Sequence, residues 1–511
     1  MRTDAAERAL TELVASTTDV DVAAQLAEWS HVTLDVQPSS TSALTGSRRD
    51  LFERLLAQHH IDADPARPLA RRTTATGPTS FSQQMQWDFH ERGNFPTMCI
   101  DATAFALRGP LDERALQQAL AALVTRHASL RTSFAVERGR LVQTIHDRGP
   151  ALELVDLSRL DDGARRAEAD RLFAAASRPH DLTREVFRAQ LLRFDAHDHV
   201  LLLSPHHIVI DGFAWDVLDA DLAALYRAAA SSTAPTLAPI AITFADFCFW
   251  QRTLEHRPIG RAQLAFWARA ITDYAGLEVA GDRRSVTRGA VGMAMDTYEP
   301  GDVSIEIDGT RWTQIEQLAA RVGTTPYTIV ATSFLLLLSR WAGRADVCTL
   351  SGNYQRQRSG TELAIGNFVT QYPLRLVFDE SATLEAAVRH CQATVAEHRA
   401  HSQVAPTSAI AALPEWSRYN LNYLEAPAAA PLDYGAVTIE RLGWNVLPHR
   451  TAHDLGLFLR QSASGIRGKL VYNAERFSPQ IAARAAARLG ELLQWITTTP
   501  AMRVRDLPSA P

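Results

Sequence analysis

A short apolar run, Val200-Leu201-Leu202-Leu203, leads directly into Ser204-Pro205-His206-His207-Ile208-Val209-Ile210-Asp211-Gly212. Four apolar residues ending at a turn signal predict a buried strand. Beyond Gly212, Trp215, Leu218, Leu222, Leu225 and Tyr226 recur near helical spacing, so a helix is predicted to start there. The unit is strand, histidine loop, helix. A histidine at a strand end can act as a base near neutral pH, because its ordinary pKa lies in that range. Neighbouring residues on a strand point to opposite faces, so one of His206 and His207 faces a cavity while the other packs. The two cannot both reach one metal ion, and no Cys-x-x-Cys or His-Glu-x-x-His pattern supplies further ligands. Asp211 can fix the loop through an ion pair or backbone hydrogen bonds. Gly212 suits a position that needs positive φ or close approach.

The chain has 511 residues, too many for one ordinary core, so two domains or two large lobes are predicted. Its net charge of -5 gives no reason to expect nucleic-acid binding. Cys99, Cys248, Cys348 and Cys391 are widely spaced and read as buried thiols in a reducing compartment. The N-terminus lacks the apolar core of a signal peptide. The longest apolar stretch, residues 327–341, is interrupted by Thr328, Thr332, Ser333 and Ser339 and is too short to span a bilayer, so it reads as a buried core helix. These features predict a cytoplasmic protein without membrane association.

In chain order, residues 1–75 look separate. They read as a helix at 4–14, a half-buried strand at 32–36, a Ser/Thr-rich linker at 38–47 and a helix at 48–59, too little to bury much core alone. Residues 98–107 read as a strand, 111–124 as a helix with Leu116, Leu120 and Leu123 inward, and 346–350 as a strand. Arg126 and Arg131 read as ties between helix and strand. The chain crosses from a first lobe to a second around 252–267, residues 283–301 read as a surface loop, and 500–511 as a linker-like tail.

His206-His207-Ile208-Val209-Ile210-Asp211-Gly212 resembles the signature of condensation domains of nonribosomal peptide synthetases, members of the chloramphenicol-acetyltransferase-like superfamily. Further stretches resemble that family's motifs in order. They are Ser80-Phe81-Ser82-Gln83 before Trp87, Arg126-His127-Ala128-Ser129-Leu130-Arg131-Thr132-Ser133-Phe134, and Phe244-Ala245-Asp246-Phe247 before Trp250-Gln251. Later come Ile365-Gly366-Asn367-Phe368-Val369-Thr370, Tyr419-Asn420-Leu421-Asn422-Tyr423, and Leu470-Val471-Tyr472-Asn473 before Phe477. Three departures stand out. Gln355 replaces the glycine of a Gly-Arg pair before Arg356, Thr370 follows Val369 without the family's intervening asparagine, and His401-Ser402-Gln403-Val404-Ala405-Pro406 only loosely follows His-Gln-Asp-x-Pro-Phe.

The resemblance implies an α/β fold of two chloramphenicol-acetyltransferase-like lobes in a V-shaped pseudodimer with a central tunnel. Residues 1–75 would be an extension or a docking element for another megasynthase protein, 76–255 the N-terminal lobe, 256–505 the C-terminal lobe and 506–511 a tail. The implied chemistry is transfer of an acyl group from a thioester to an amine or hydroxyl acceptor, giving an amide or ester in nonribosomal peptide or hybrid polyketide biosynthesis. The donor, and in some cases the acceptor, would ride on the phosphopantetheine arm of an acyl or peptidyl carrier protein; the chain itself would hold no cofactor and no metal. His207 would face the tunnel as base or positioner and His206 would be structural. Asp211 would hold the loop through Arg356, or otherwise Arg375, and the Gly212 amide would face the developing oxyanion. A heterocyclisation domain would carry aspartates in place of the histidine pair, and an epimerisation domain a Glu-Gly-His-Gly-Arg stretch; neither is found. With no adenylation motif and no carrier-protein attachment site recognised, the expectation is a freestanding, monomeric enzyme. Two alternatives stay open: a CoA-dependent O- or N-acyltransferase of the same superfamily, and a catalytically silent docking module.

Overall fold

The structure, a computed structural model, describes residues 69, 71, 74–91, 99–283, 298–356, 360–407, 410, 418–425, 432–442, 451 and 453–509. The elements and the docking role expected within residues 1–68, and most of the loop expected at 283–301, lie outside the described residues. Residues from Thr76 onwards fall in one compact unit.

The first half builds β1 (Thr76–Pro78), α1 (Phe81–Glu91), β2 (Thr103–Arg108), α2 (Glu113–Arg126), β3 (Thr132–Glu137), β4 (Arg140–Ile145), β5 (Leu152–Asp156), α3 (Asp162–Ala176), β6 (Phe187–Arg193), β7 (Asp198–Pro205), α4 (Gly212–Ala230), α5 (Phe244–Glu255) and α6 (Pro258–Ala270). Seven of the eight residues of β7 are buried, and it pairs antiparallel with β2 on one side and β6 on the other. A strand covered on both faces and both edges needs an unbroken apolar run, which is what Val200 to Leu203 provide. The helix α2 starts where the Asp112 carboxylate accepts the Ala115 amide at 2.9 Å. It turns Ala115, Leu116, Ala119, Leu120, Leu123 and Val124 inward, into the same core as Leu218 and Leu222 of α4.

The second half builds β8 (Pro300–Asp308), α7 (Gly309–Val322), α8 (Pro326–Ala342), β9 (Asp346–Tyr354), β10 (Val369–Val377), α9 (Leu384–Ala400), β11 (Tyr419–Glu425), β12 (Thr438–Arg441), β13 (Leu455–Ser462), β14 (Gly465–Asn473) and α10 (Pro479–Thr498). The apolar stretch at 327–341 is α8, capped by Thr325, with Pro326 in its first turn and left-handed Gly343 at its end. The hydroxyls of Thr332 and Ser333 bond back to the carbonyls of Thr328 and Ile329 at 2.7 and 2.9 Å, so a buried helix tolerates them. Among the described residues no single helix is long and apolar enough to cross a membrane.

Among the described residues three sheets result, ordered β12-β2-β7-β6-β5, β10-β9-β11-β13-β14-β8 and β1-β4-β3. Two expectations need correction. The division at 255/256 does not separate the sheets, because β12, from the second half, pairs antiparallel with β2 and covers the outer edge of the first half's main sheet. Nor are residues 500–509 simply a tail. Arg503 bridges Thr383, a 3-10 turn spans Val504–Asp506, and Val504 and Leu507 are buried in the core around α8 and α10. Two apolar residues three apart suffice to seat a single turn.

Candidate active site

The loop after β7 extends the strand's own ladder. The His206 amide donates to the Val186 carbonyl at 2.7 Å, the His207 amide to the Cys99 carbonyl at 2.6 Å, and the Asp101 amide to the Pro205 carbonyl at 3.0 Å. The Val209 amide then closes a turn on the His206 carbonyl at 3.0 Å, and Ile208, Val209 and Ile210 anchor it with no exposure. The two histidines therefore leave the strand on a rigid support and in different directions.

His206 is fully buried, and its Nδ1 accepts the Ile208 amide at 3.0 Å, so its proton sits on Nε2. Its ring meets those of His90 and His180 edge-on, with centroids 5.4 and 6.1 Å away. Burial, reinforced by the neighbouring histidines, holds its pKa well below the ordinary value. His206 is thus a neutral packing residue. The side chain of His207 is one-third exposed (32%). Its Nδ1 lies 2.6 Å from the Ile210 carbonyl oxygen. A carbonyl only accepts, so Nδ1 carries the proton and donates it, and the Nε2 lone pair is left as the basic site.

Asp211 closes the loop from behind. It has no exposed surface, and one oxygen caps α4 by accepting the Ala214 amide at 2.8 Å. The same oxygen accepts from Arg356 Nη2 at 3.0 Å, while the other accepts the Phe368 amide at 2.9 Å. Arg356 is pinned in turn by the carbonyls of Thr361, Ala364 and Gly366, and its guanidinium lies 4.2 Å from the centre of the Phe368 ring. Arg375, the other arginine considered for Asp211, is engaged elsewhere. It forms a two-pronged pair with Asp346, at 2.9 and 2.8 Å, and donates to the Ala270 and Thr272 carbonyls. Strand register decides this: Arg375 stands opposite Cys348 on β9, near the strand's start at Asp346, far along β10 from the loop. Gly212 has ordinary φ, so its freedom is not the point; a side chain there would meet the Leu424 Cδ2 at 2.9 Å. Its need is close approach.

Two residues of the site carry no role in the sequence motifs. Asn367 donates from Nδ2 to the His207 carbonyl at 2.8 Å and thereby ties the histidine's backbone to the segment that holds Asp211. It stands in the Ile-Gly-Asn-Phe stretch, so a signal was present. Asp101 places Oδ2 at 3.4 Å from His207 Nδ1, and no spacing pattern marks it. Among the described residues no group of three or more His, Cys, Asp and Glu side chains is arranged to hold a metal ion. What the arrangement offers is one imidazole of fixed tautomer, beside the N-terminus of a 19-residue helix whose first amides point toward the same loop.

Fold and motif order define a chloramphenicol-acetyltransferase-like α/β protein. The chain belongs to the condensation-domain family: the family model matches residues 74–511. A phosphinothricin tripeptide synthetase of Streptomyces viridochromogenes is 30% identical over 491 residues, 91% of this chain and 43% of that protein. The enniatin synthase of Fusarium equiseti is 27% identical over 455 residues, 86% of this chain and 14% of that protein. The chain therefore spans less than half the length of these relatives. In structure it is similar to the X-domain from teicoplanin biosynthesis solved in complex with OxyB, at 27% identity and a TM-score of 0.71, over 86% of this chain and 97% of that one. The first condensation domain of the calcium-dependent antibiotic synthetase shares the fold, with a TM-score of 0.66 over 85% of this chain and 99% of that one at 20% identity.

Proposed function

We propose that this chain forms an amide or ester bond by moving an acyl group from a carrier-bound thioester to an amine or hydroxyl. The observation that carries the reading is the tautomer of His207: with Nδ1–H given to Ile210, Nε2 is free to take a proton. In the proposed reaction the acceptor attacks the thioester carbon as its proton passes to His207 Nε2. The carbonyl oxygen gains the negative charge beside the Gly212 end of α4, whose amides and dipole favour an anion. The intermediate collapses, the carbon–sulfur bond breaks, and the leaving thiolate takes the proton back from His207. A thioester is already reactive, so most of the acceleration comes from alignment. The phosphopantetheine arms belong to the carrier proteins and deliver donor, and in some cases acceptor, through a tunnel between the lobes. The names of the synthetase relatives support this chemistry; transfer from CoA is the alternative donor.

A second reading, a docking module without chemistry, draws on the likeness to the X-domain solved with OxyB. The intact anchoring of the loop by Asp211 and Arg356 supports the enzymatic reading instead. Intact-protein mass spectrometry of a panel of acyl-carrier proteins with free and carrier-bound acceptors decides. We expect a mass gain on an acceptor that is lost in His207→Ala. For a hydroxyl acceptor the loss should be about 10²–10⁴-fold, because a weak nucleophile profits most from a base; a matched amine should keep part of its rate. Carrier binding with no product across the panel would overturn the enzymatic reading, and equal rates from CoA would redirect it to CoA donors. Parental hydroxyl transfer by His207→Ala would remove the histidine from its role.

A further inference from the structure

The signature motif supplies an aspartate four residues after His207, yet that carboxylate never faces the ring. Both oxygens of Asp211 are occupied, by Arg356 and the Ala214 amide on one side and the Phe368 amide on the other. The carboxylate that does face the ring comes from another segment. Residues 99–101 run antiparallel to the end of β7: the His207 amide meets the Cys99 carbonyl, Ile100 bridges His206, and the Asp101 amide meets the Pro205 carbonyl. This ladder fixes where Asp101 starts, and its Oδ2 ends 3.4 Å from His207 Nδ1.

In the neutral ring the Nδ1 proton is taken by Ile210, a neutral acceptor, at 2.6 Å. A carbonyl dipole orients the ring but carries no net charge. Once Nε2 has accepted a proton the ring is a cation, and the nearest anion is then decisive. Asp211, the loop's other charged group, is paired with Arg356 from the second half of the chain, and His206 beside the ring is neutral.

We propose that Asp101 is a positioning residue for His207, its carboxylate standing on the Nδ1 side of the ring to stabilise the imidazolium while Nε2 holds the acceptor's proton. This inference rests on the reading of His207 as the base. Orientation comes from Ile210 and charge from Asp101, so the two parts of the support are separable. Both side chains are about one-third exposed, at 32% and 36%, so solvent screens the pair and the effect is moderate.

Asp101→Asn keeps the shape and removes the charge. In the full chain, with the donor and acceptor found by the carrier-protein assay, we expect kcat to fall about three- to tenfold while KM stays within about twofold. Asp101→Ala should behave alike, because neither substitution disturbs the backbone ladder. A second readout needs no substrate. Diethyl pyrocarbonate acylates the free nitrogen of histidine, and peptide mass spectrometry gives the rate at His207, with exposed His197 as internal control. At an alkaline pH, where the ring is neutral in both proteins, we expect Asp101→Asn to slow modification of His207 and to leave His197 unchanged. Parental kcat together with a parental modification rate at His207 would overturn the proposal. So would a loss carried entirely by KM or by melting temperature, which marks a structural role. If Asp101→Asn slows modification of His207 while His207→Ala transfers at the parental rate, Asp101 still tunes the ring and it is the base reading that fails.

Discussion

The two ends of the histidine loop, four residues apart, are built in opposite ways. At the Asp211 end nothing is exposed, and both carboxylate oxygens are filled by groups from far along the chain: Arg356 is 145 residues away and Phe368 is 157. At the His207 end the ring is one-third open, with one short hydrogen bond from Nδ1 to a residue three positions on. The closed end therefore holds halves of the chain together, and the open end keeps a nitrogen available. Substitutions at the closed end should be read in stability, those at the open end in rate.

The largest effect that can break this contrast is at Asp211. Asp211→Ala removes a helix cap and leaves the Arg356 guanidinium buried without its anion. Removing one partner of a buried pair costs about 3–5 kcal/mol. We expect lower yield of folded protein and earlier urea unfolding, whereas His207→Ala should unfold like the parent. An Asp211→Ala variant that melts as the parent does yet transfers nothing would give Asp211 a direct part in the chemistry and erase the distinction between the ends.

Acid should act next most strongly, again at a closed position. Burial depresses the pKa of His180 from 6.5 to about 3, that of His206 well below the ordinary value, and that of His90 also. Arg188 presses on His180 in the same direction, while Glu91 and Asp181 partly offset the shift at His90. Between pH 6.5 and about 3 the unfolded chain takes up protons that these folded rings refuse, so stability falls as pH falls through that window. His180 and His206 together should remove about 3 kcal/mol per pH unit. His180→Gln should flatten the fall in urea midpoint between pH 7 and pH 5. An unchanged slope would mean that the cluster takes up protons in the folded state.

Much of this was legible in the sequence, and the rest was hidden for identifiable reasons. The helix α8 was readable because cap, proline, apolar run and terminal glycine are all local. That one histidine packs while the other stays open follows from strand alternation, and the family resemblance says which is which. The preference for Arg356 over Arg375 came from the family resemblance; spacing alone could not give it, since both lie more than a hundred residues from Asp211 and only strand register separates them. Crossing of β12 to β2 is a pairing of residues 438–441 with 105–108, and four residues of strand have no periodicity to reveal a partner. Val504 and Leu507 are too few to show one either. Asp101 sits in a stretch that reads only as the start of a strand, and its importance depends on where the neighbouring strand ends.

The smallest effects come from two glycines in motif positions that flank the closed end and differ in how far their neighbours can give. A Cβ on Gly366 would fall 2.3 Å from the Phe244 Cγ. That ring is buried, stacks with Phe247 and packs on Phe368, so it has no room to give. Overpacking of this kind costs about 1–3 kcal/mol, and Gly366→Ala should lie at the upper end, with the strain passed to the neighbouring Phe368 amide and so to Asp211. On Gly212 the new carbon would meet the Leu424 Cδ2 at 2.9 Å, the tip of a flexible side chain. Gly212 is also the first residue of α4, where the loss of backbone freedom that alanine spares still favours it, by less than the about 0.5–1 kcal/mol of a helix interior. The two contributions oppose each other, and Gly212→Ala should unfold within about 1 kcal/mol of the parent. Its effect should appear in rate instead, because the shifted Leu424 and the start of α4 lie where the oxyanion is proposed to form. Equal destabilisation by the two substitutions would show that Leu424 has no more room to give than Phe244.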